Sequence, residues 1–213
     1  MSESATTLAS PRERRRAETT RALISLARRA TAEHGLNGFT VEELCEQAGV
    51  SRRTFFNYFA SKEDAVLGFA IDLDLAHADQ RFLERRPEGL PPGTLSPTLL
   101  ADLAALHGER WSIHGLDQES AAELTAAAER EPRLIAHMID RGRRDEEKDV
   151  ALVEAREGLA PGHPLAAVAV QIVAHLGRVA VPRSLDLEHP EPFAEVLAQL
   201  VGDAAQLFAT QTA

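Results

Sequence analysis

The sequence predicts an all-α protein, with a small N-terminal three-helix domain containing a helix-turn-helix followed by a larger helical domain. Three observations lead there. Apolar residues recur at three- and four-residue spacing along most of the 213 residues, while the alternation of a strand never persists. Capping residues, glycines and prolines punctuate these stretches at helix-length intervals. At 44% hydrophobic and 26% charged residues, the composition is that of a chain able to bury a core.

The elements follow in order. Residues 1–11 are Ser/Thr-rich and read as a disordered tail; they lack the apolar stretch of a secretory signal. A first helix spans 12–34, with Ala22, Leu23, Leu26, Ala27 and Ala30 inward and Arg14, Arg15, Arg16, Arg21, Arg28 and Arg29 outward. Gly35 is its C-cap. Thr40 and Glu43 form a capping box that opens a second helix, which ends at Ala48-Gly49. Ser51 caps a third helix. Ser61 with Asp64 opens a long fourth helix over 62–86, with Val66, Phe69, Leu73 and Ala76 inward. Residues 87–97 hold clustered Pro and Gly and read as a loop. Further helices are expected at 98–113, 118–130, 132–157, 164–181 and 192–210, with Pro132 and Pro164 in first turns, where a missing N–H costs nothing. This divides the chain into a tail (1–11), a helix-turn-helix domain (12–61) and a helical body (62–213).

Charge separates these parts. The net charge is −10, yet residues 11–65 carry 10 basic against 8 acidic side chains, and the rest 13 against 25. Such asymmetry points to nucleic-acid contact in the basic part, although a solvated basic face would look the same. The single cysteine, Cys45, excludes an internal disulfide and reads as a buried core residue rather than a redox sensor. No apolar run is expected to reach the roughly 20 residues needed to cross a bilayer. Together these features point to the cytoplasm and to no membrane.

The most informative stretch lies between Gly35 and Lys62. Two short helices joined by Ala48-Gly49-Val50 hold the second at an angle suited to the DNA major groove. Leu44, Val50, Phe55 and Phe59 are expected to pack inside with Phe39. Arg52 and Arg53 open the second of these helices, where an arginine fork reaches guanine O6 and N7. Arg52 is the first choice for a base contact, and Asn57 lies one turn on.

Several elements agree in order and spacing: Gly35-x-x-Gly38-Phe39-Thr40, Leu44 with Ala48-Gly49-Val50-Ser51, and Thr54-Phe55-Phe56-x-Tyr58-Phe59-x-x-Lys62. In these residues the stretch resembles the DNA-binding domain of the TetR family of one-component transcriptional regulators, over about a quarter of the chain. The resemblance implies a probe of DNA formed by Thr40, Ser51, Arg52, Arg53, Thr54, Phe56, Asn57, Tyr58 and Lys62. Arg52 and Arg53 would read bases, while Thr40, Thr54, Tyr58 and Lys62 would hold phosphates. Arg14, Arg15 and Arg16 would supply an arm along the backbone, or a merely solvated terminus. Where the family often has a phosphate-binding tyrosine, this chain has Phe56, which leaves only van der Waals contact.

The resemblance also implies a dimeric repressor that binds a palindromic operator and is released by a small-molecule effector in the helical body. The almost wholly apolar helix over 164–181 is expected to need a partner subunit, and the broad stripe of 192–210 could cover both core and interface. A homodimer through these two helices follows. Candidate pocket residues are Phe69, Leu73, His77, His107, Trp111, His114, Met138, Arg141 and His175, with His137 a further possibility, although each also has an ordinary core or surface reading. No histidine pair has ligand spacing, so neither a metal nor another cofactor is expected. The alternative is a DNA-binding regulator without an effector, controlled by abundance or a protein partner. With no phosphate loop, nucleophile elbow or HExxH, an enzyme is not expected.

Overall fold

The computed structural model describes residues 11–71, 74–114, 118–186, 188–189 and 191–211. Its elements are α1 (Pro11–His34), α2 (Val41–Ala48), α3 (Arg52–Tyr58), α4 (Lys62–Leu67), α5 (Asp74–Glu84), α6 (Leu99–His114), α7 (Gln118–Arg130), α8 (Arg133–Glu157), α9 (Pro164–Ser184) and α10 (Phe193–Gln211). No strand occurs among the described residues. The fold is all-α. The tail expected over 1–11 lies outside the described residues, save for Pro11, which opens α1.

Contacts divide the chain into two compact units. One holds the described residues up to Ile71 together with Ala122–Ile135; the other holds those of Asp72–Ala121 and Ala136–Ala213. The first unit packs Leu23, Ile24, Ala27, Leu36, Phe39, Leu44, Cys45, Phe55, Phe59, Ala65 and Val66 into one core, joined by Ala127 and Leu134. Each fully buried Leu or Phe contributes about 1.5–3 kcal/mol. Glu131 ties the later segment to the α1–α2 turn, its Oε1 accepting from Leu36 N at 3.0 Å.

Three sequence expectations change here. On α1 the inward face is Leu23, Ile24, Ala27, Arg28 and Thr31; Ala22 is exposed. Arg28, expected on the outer face, is buried and its Nε donates to Val66 O at 2.8 Å, so a cation sits on the carbonyl-rich end of α4. The long fourth helix is two helices. Gly68 adopts φ 80° and caps α4, with Gly68 N bonded to Ala65 O and Phe69 N to Asp64 O. The chain then turns back, and Ile71 N donates to Tyr58 O at 2.6 Å. With the register restarted, Ala78 and Phe82 are buried in place of Ala76.

In the second unit α10 packs on α6 and α9, and α5 on α6. Phe82, Leu103, Leu106, Val153, Val170, Val173, Val196 and Leu197 fill its core. Gly108 permits the close approach of α6 and α10, because a Cβ there would meet Ala194 Cβ at 2.8 Å. The loop between α5 and α6 is fixed by buried charges. Glu157 accepts from Ser96 N at 2.8 Å and Ser96 Oγ at 2.9 Å, and Arg156 bonds Phe82 O at 3.0 Å, Ser96 Oγ at 2.7 Å, Asp102 and Glu157.

The expectation that no apolar run approaches a bilayer-spanning length is overturned by α9. Its 21 residues pass by length and composition alone. One face, Ala166, Ala169, Val170, Val173, Gly177 and Ala180, is buried in the second unit. On a flank, Gln171 and Arg178 bond Glu146 of α8 at 2.7 and 3.2 Å, which suits a helix within a bundle. Nor is α9 buried on all sides within the chain, since Leu165, Val168 and Val179 are exposed.

Candidate nucleic-acid interface

Local rules place the site. Thr40 caps α2: its Oγ1 accepts from Glu43 N at 3.2 Å, and the Glu43 carboxylate accepts from Thr40 N at 2.7 Å. That backbone bond, with the one from the Thr40 hydroxyl, holds the Glu43 carboxyl below its usual range. Gly49 closes α2 at φ 66°, a left-handed conformation that favours glycine. Ser51 caps α3, accepting from Thr54 N at 3.0 Å, with the two hydroxyls 2.8 Å apart. A turn of fixed length between capped helices sets which face of α3 points outward.

Phe55 and Phe59 anchor α3 in the core, each fully buried, with ring centroids 5.6 Å apart. The opposite face presents Arg52, Arg53, Phe56 and Asn57, all exposed. Thr54 and Tyr58 are half-buried at its edges. The Phe56 ring lies edge-on to Phe55 at 5.3 Å and beneath the Arg52 guanidinium, 5.5 Å from the centroid. Arg52 Nη1 also pairs with Glu42 Oε1 on α2 at 2.8 Å.

The remaining candidates are held more tightly than the sequence reading assumes. Lys62 Nζ donates to Leu36 O at 2.5 Å and Phe39 O at 2.8 Å, and lies 4.6 Å over the Phe39 ring. An ammonium has three N–H donors, and these carbonyls occupy two of them. Arg16 stands 5.6 Å over the Tyr58 ring and donates to Ile71 O at 2.9 Å. Glu42 and Arg16 were not singled out as partners for Arg52 and Tyr58. Their contacts span helices whose register no local pattern reveals. Cys45 is buried as expected, and burial, with Glu42 nearby, pushes its thiol up.

Of the candidate pocket residues, Leu73 and the side chain of His114 lie outside the described residues. Phe69 is half-buried and packs on the head core. His77, Met138 and His175 are exposed, and Arg141 pairs with Asp145 at 3.0 Å. His107 Nε2 lies 3.1 Å from Asp149, and Trp111 stacks on Phe193 with centroids 4.4 Å apart. Asp149 is buried and also takes Arg110 Nη1 at 2.6 Å, while Arg110 reaches Asp79.

For Asp149, burial alone would raise the carboxyl, but the His107 hydrogen bond and the Arg110 charge outweigh it and hold the group below the usual carboxylate range. A carboxyl lowered on folding stabilises the protein above its unfolded pKa of about 3.9, and that contribution is lost as pH falls through the folded value. Asp149→Asn is therefore expected to lower stability at pH 7 and to flatten the acid limb of the Tm-versus-pH curve. Parallel curves for the two proteins would reject the assignment.

The folded N-terminal part is thus a helix-turn-helix head. Residues 23–67 match the family model described as bacterial regulatory proteins, tetR family. The chain is 31% identical over 153 residues to the HTH-type transcriptional regulator TcmR of Streptomyces glaucescens, an alignment covering 70% of this chain and 64% of that protein. The chain therefore spans less than two thirds of that relative. A solved structure assigned to the TetR-family transcriptional regulators, from Mesorhizobium loti MAFF303099, aligns over 91% of this chain and 98% of its own at 16% identity. The TM-score of that alignment is 0.44. Residues 23–67 place the N-terminal domain in the tetR family of bacterial regulatory proteins.

Proposed function

We propose that the protein is a dimeric, operator-binding transcriptional repressor of the cytoplasm, with α3 entering the major groove. One observation carries this reading. A serine-capped helix anchored by Phe55 and Phe59 turns Arg52, Arg53, Phe56 and Asn57 outward together. Cations in the first turn of a helix oppose its dipole, so their placement there is better accounted for by a polyanionic partner than by stability. In this reading Arg52 and Arg53 read bases, and Thr40, Thr54, Tyr58 and Lys62 position the phosphates, with Ser51 also at the interface. Residues 12–61 act as the DNA-binding domain and 62–213 as the body.

The dimer would form through α9 and α10. Leu165, Val168, Ile172, His175 and Val179 follow a three-four spacing along α9, and Leu165, Val168, His175 and Val179 are exposed. Leu207 and Phe208 are exposed on α10. An apolar stripe of this kind fits a second copy of the chain. Release by a small-molecule effector in the body is part of the reading. The second reading, a regulator governed by abundance or a protein partner, is favoured by His107 and Trp111 being engaged by Asp149 and Phe193.

Footprinting upstream of the protein's own gene and its neighbour would locate the operator. On that operator Arg52→Ala is expected to lose about 1–3 kcal/mol, or roughly 5- to 150-fold, with much less change on random duplex. Equal losses on both, in a gel-shift titration at fixed salt, would reject a base-reading role for Arg52.

A further inference from the structure

Arg52 is not presented bare. Its guanidinium is held at one edge by Glu42 Oε1, 2.8 Å from Nη1, and on one face by the Phe56 ring at 5.5 Å. The pair is well exposed, 65% for Arg52 and 58% for Glu42, so it adds little to stability. Its consequence is geometric. A planar guanidinium with a carboxylate at one edge and a ring on one face is biased toward that orientation, while a further N–H edge stays available for a bidentate acceptor.

The two acids at the start of α2 differ in use. Glu43 closes the capping box on Thr40, whereas Glu42 reaches across to α3. Each sits in the first turn of α2, where a carboxylate is favoured by the helix dipole, and Arg52 stands in the first turn of α3, where a cation is opposed by it. The pair offsets the poorly placed cation. It also sets a carboxylate beside one of the groups offered to DNA. A carboxylate there repels phosphate oxygens, yet leaves a guanidinium aimed at guanine O6 and N7 intact.

We infer that Glu42 is a specificity-determining residue: through its pairing with Arg52 over Phe56 it orients the arginine for guanine and makes the same arginine a poor ligand for backbone phosphate. The inference rests on the reading that this head binds duplex DNA. It also gives Phe56 a task, as the floor on which Arg52 lies.

The test is selection from a randomised duplex library with the full chain, as wild type, Glu42→Gln, Arg52→Ala and Glu46→Gln. Glu46 is another exposed acid on α2, so its variant removes the same charge without the contact. The wild type is expected to enrich a motif with a fixed guanine. Glu42→Gln should keep the rest of that motif but lose much of the guanine preference, approaching the roughly 5- to 150-fold loss of Arg52→Ala. It should also bind unselected duplex roughly twofold or more tighter, with a salt slope steeper by about 0.9, one added phosphate contact. Glu46→Gln should keep the guanine preference. The inference is overturned if Glu42→Gln keeps the guanine preference, or if it and Glu46→Gln shift selected and unselected DNA alike. A wild type that enriches no motif overturns the DNA-binding reading itself, and this inference with it.

Discussion

Glu157→Ala is expected to cost the second unit about 3–5 kcal/mol of stability, the penalty for removing one member of a buried ion pair. Glu157 is fully buried and accepts from both the backbone and hydroxyl of Ser96, and its carboxylate lies against Arg156 and 3.5 Å from Arg86 Nε. Without it the Arg156 guanidinium, also fully buried, keeps Asp102, Ser96 and Phe82 O but loses its closest counter-charge. Ser96 N would be left without its acceptor. Glu157→Gln keeps the shape and one acceptor, so it should cost less than alanine. Thermal and urea unfolding followed by circular dichroism would measure both. A loss below about 1 kcal/mol for the alanine variant would mean that the loop between α5 and α6 is held by its apolar contacts instead.

Val168→Glu is expected to give a monomer that loses roughly 10²- to 10⁴-fold in operator affinity, because the second half-site then no longer binds as part of one molecule. Val168 is 51% exposed in the chain, so the change should leave the helical fold of the monomer intact. In the proposed dimer it would place two carboxylates against an apolar seam without partners. Sedimentation at micromolar concentration, together with gel shifts on the footprinted operator, would decide the matter. A variant that still sediments as a dimer would move the interface elsewhere.

The parts of the fold legible in the sequence were those written within a few residues. Thr40 with Glu43 forms the capping box expected of it, and Ser51 and Ser61 cap α3 and α4, because such bonds depend only on three-residue spacing. The core aromatics Phe39, Phe55 and Phe59 were equally plain from the helical period. What stayed hidden depended on distant partners. Gly68 stood inside an unbroken helical pattern, and only the return of Ile71 onto Tyr58 O reveals why the helix stops there. Arg28 looked like one more outward arginine, since its acceptor on Val66 lies 38 residues away. His107 and Trp111 shared a helix face with an open outlook in sequence, but Asp149 and Phe193 come to them from other helices. In the head, the outward face of α3 was readable and the Glu42 contact to Arg52 was not, because cross-helix register carries no local signature.

The chain has two lysines, Lys62 and Lys148. Lys148 is 69% exposed beside Asp145, whereas the Lys62 ammonium is pinned between the carbonyls of Leu36 and Phe39. An acylating reagent must reach the nitrogen, and at Lys62 the carbonyls of Leu36 and Phe39 and the Phe39 ring crowd that approach. Its labelling rate, set against that of Lys148 in the same tube, becomes a clock for how often the turn between α1 and α2 lets go.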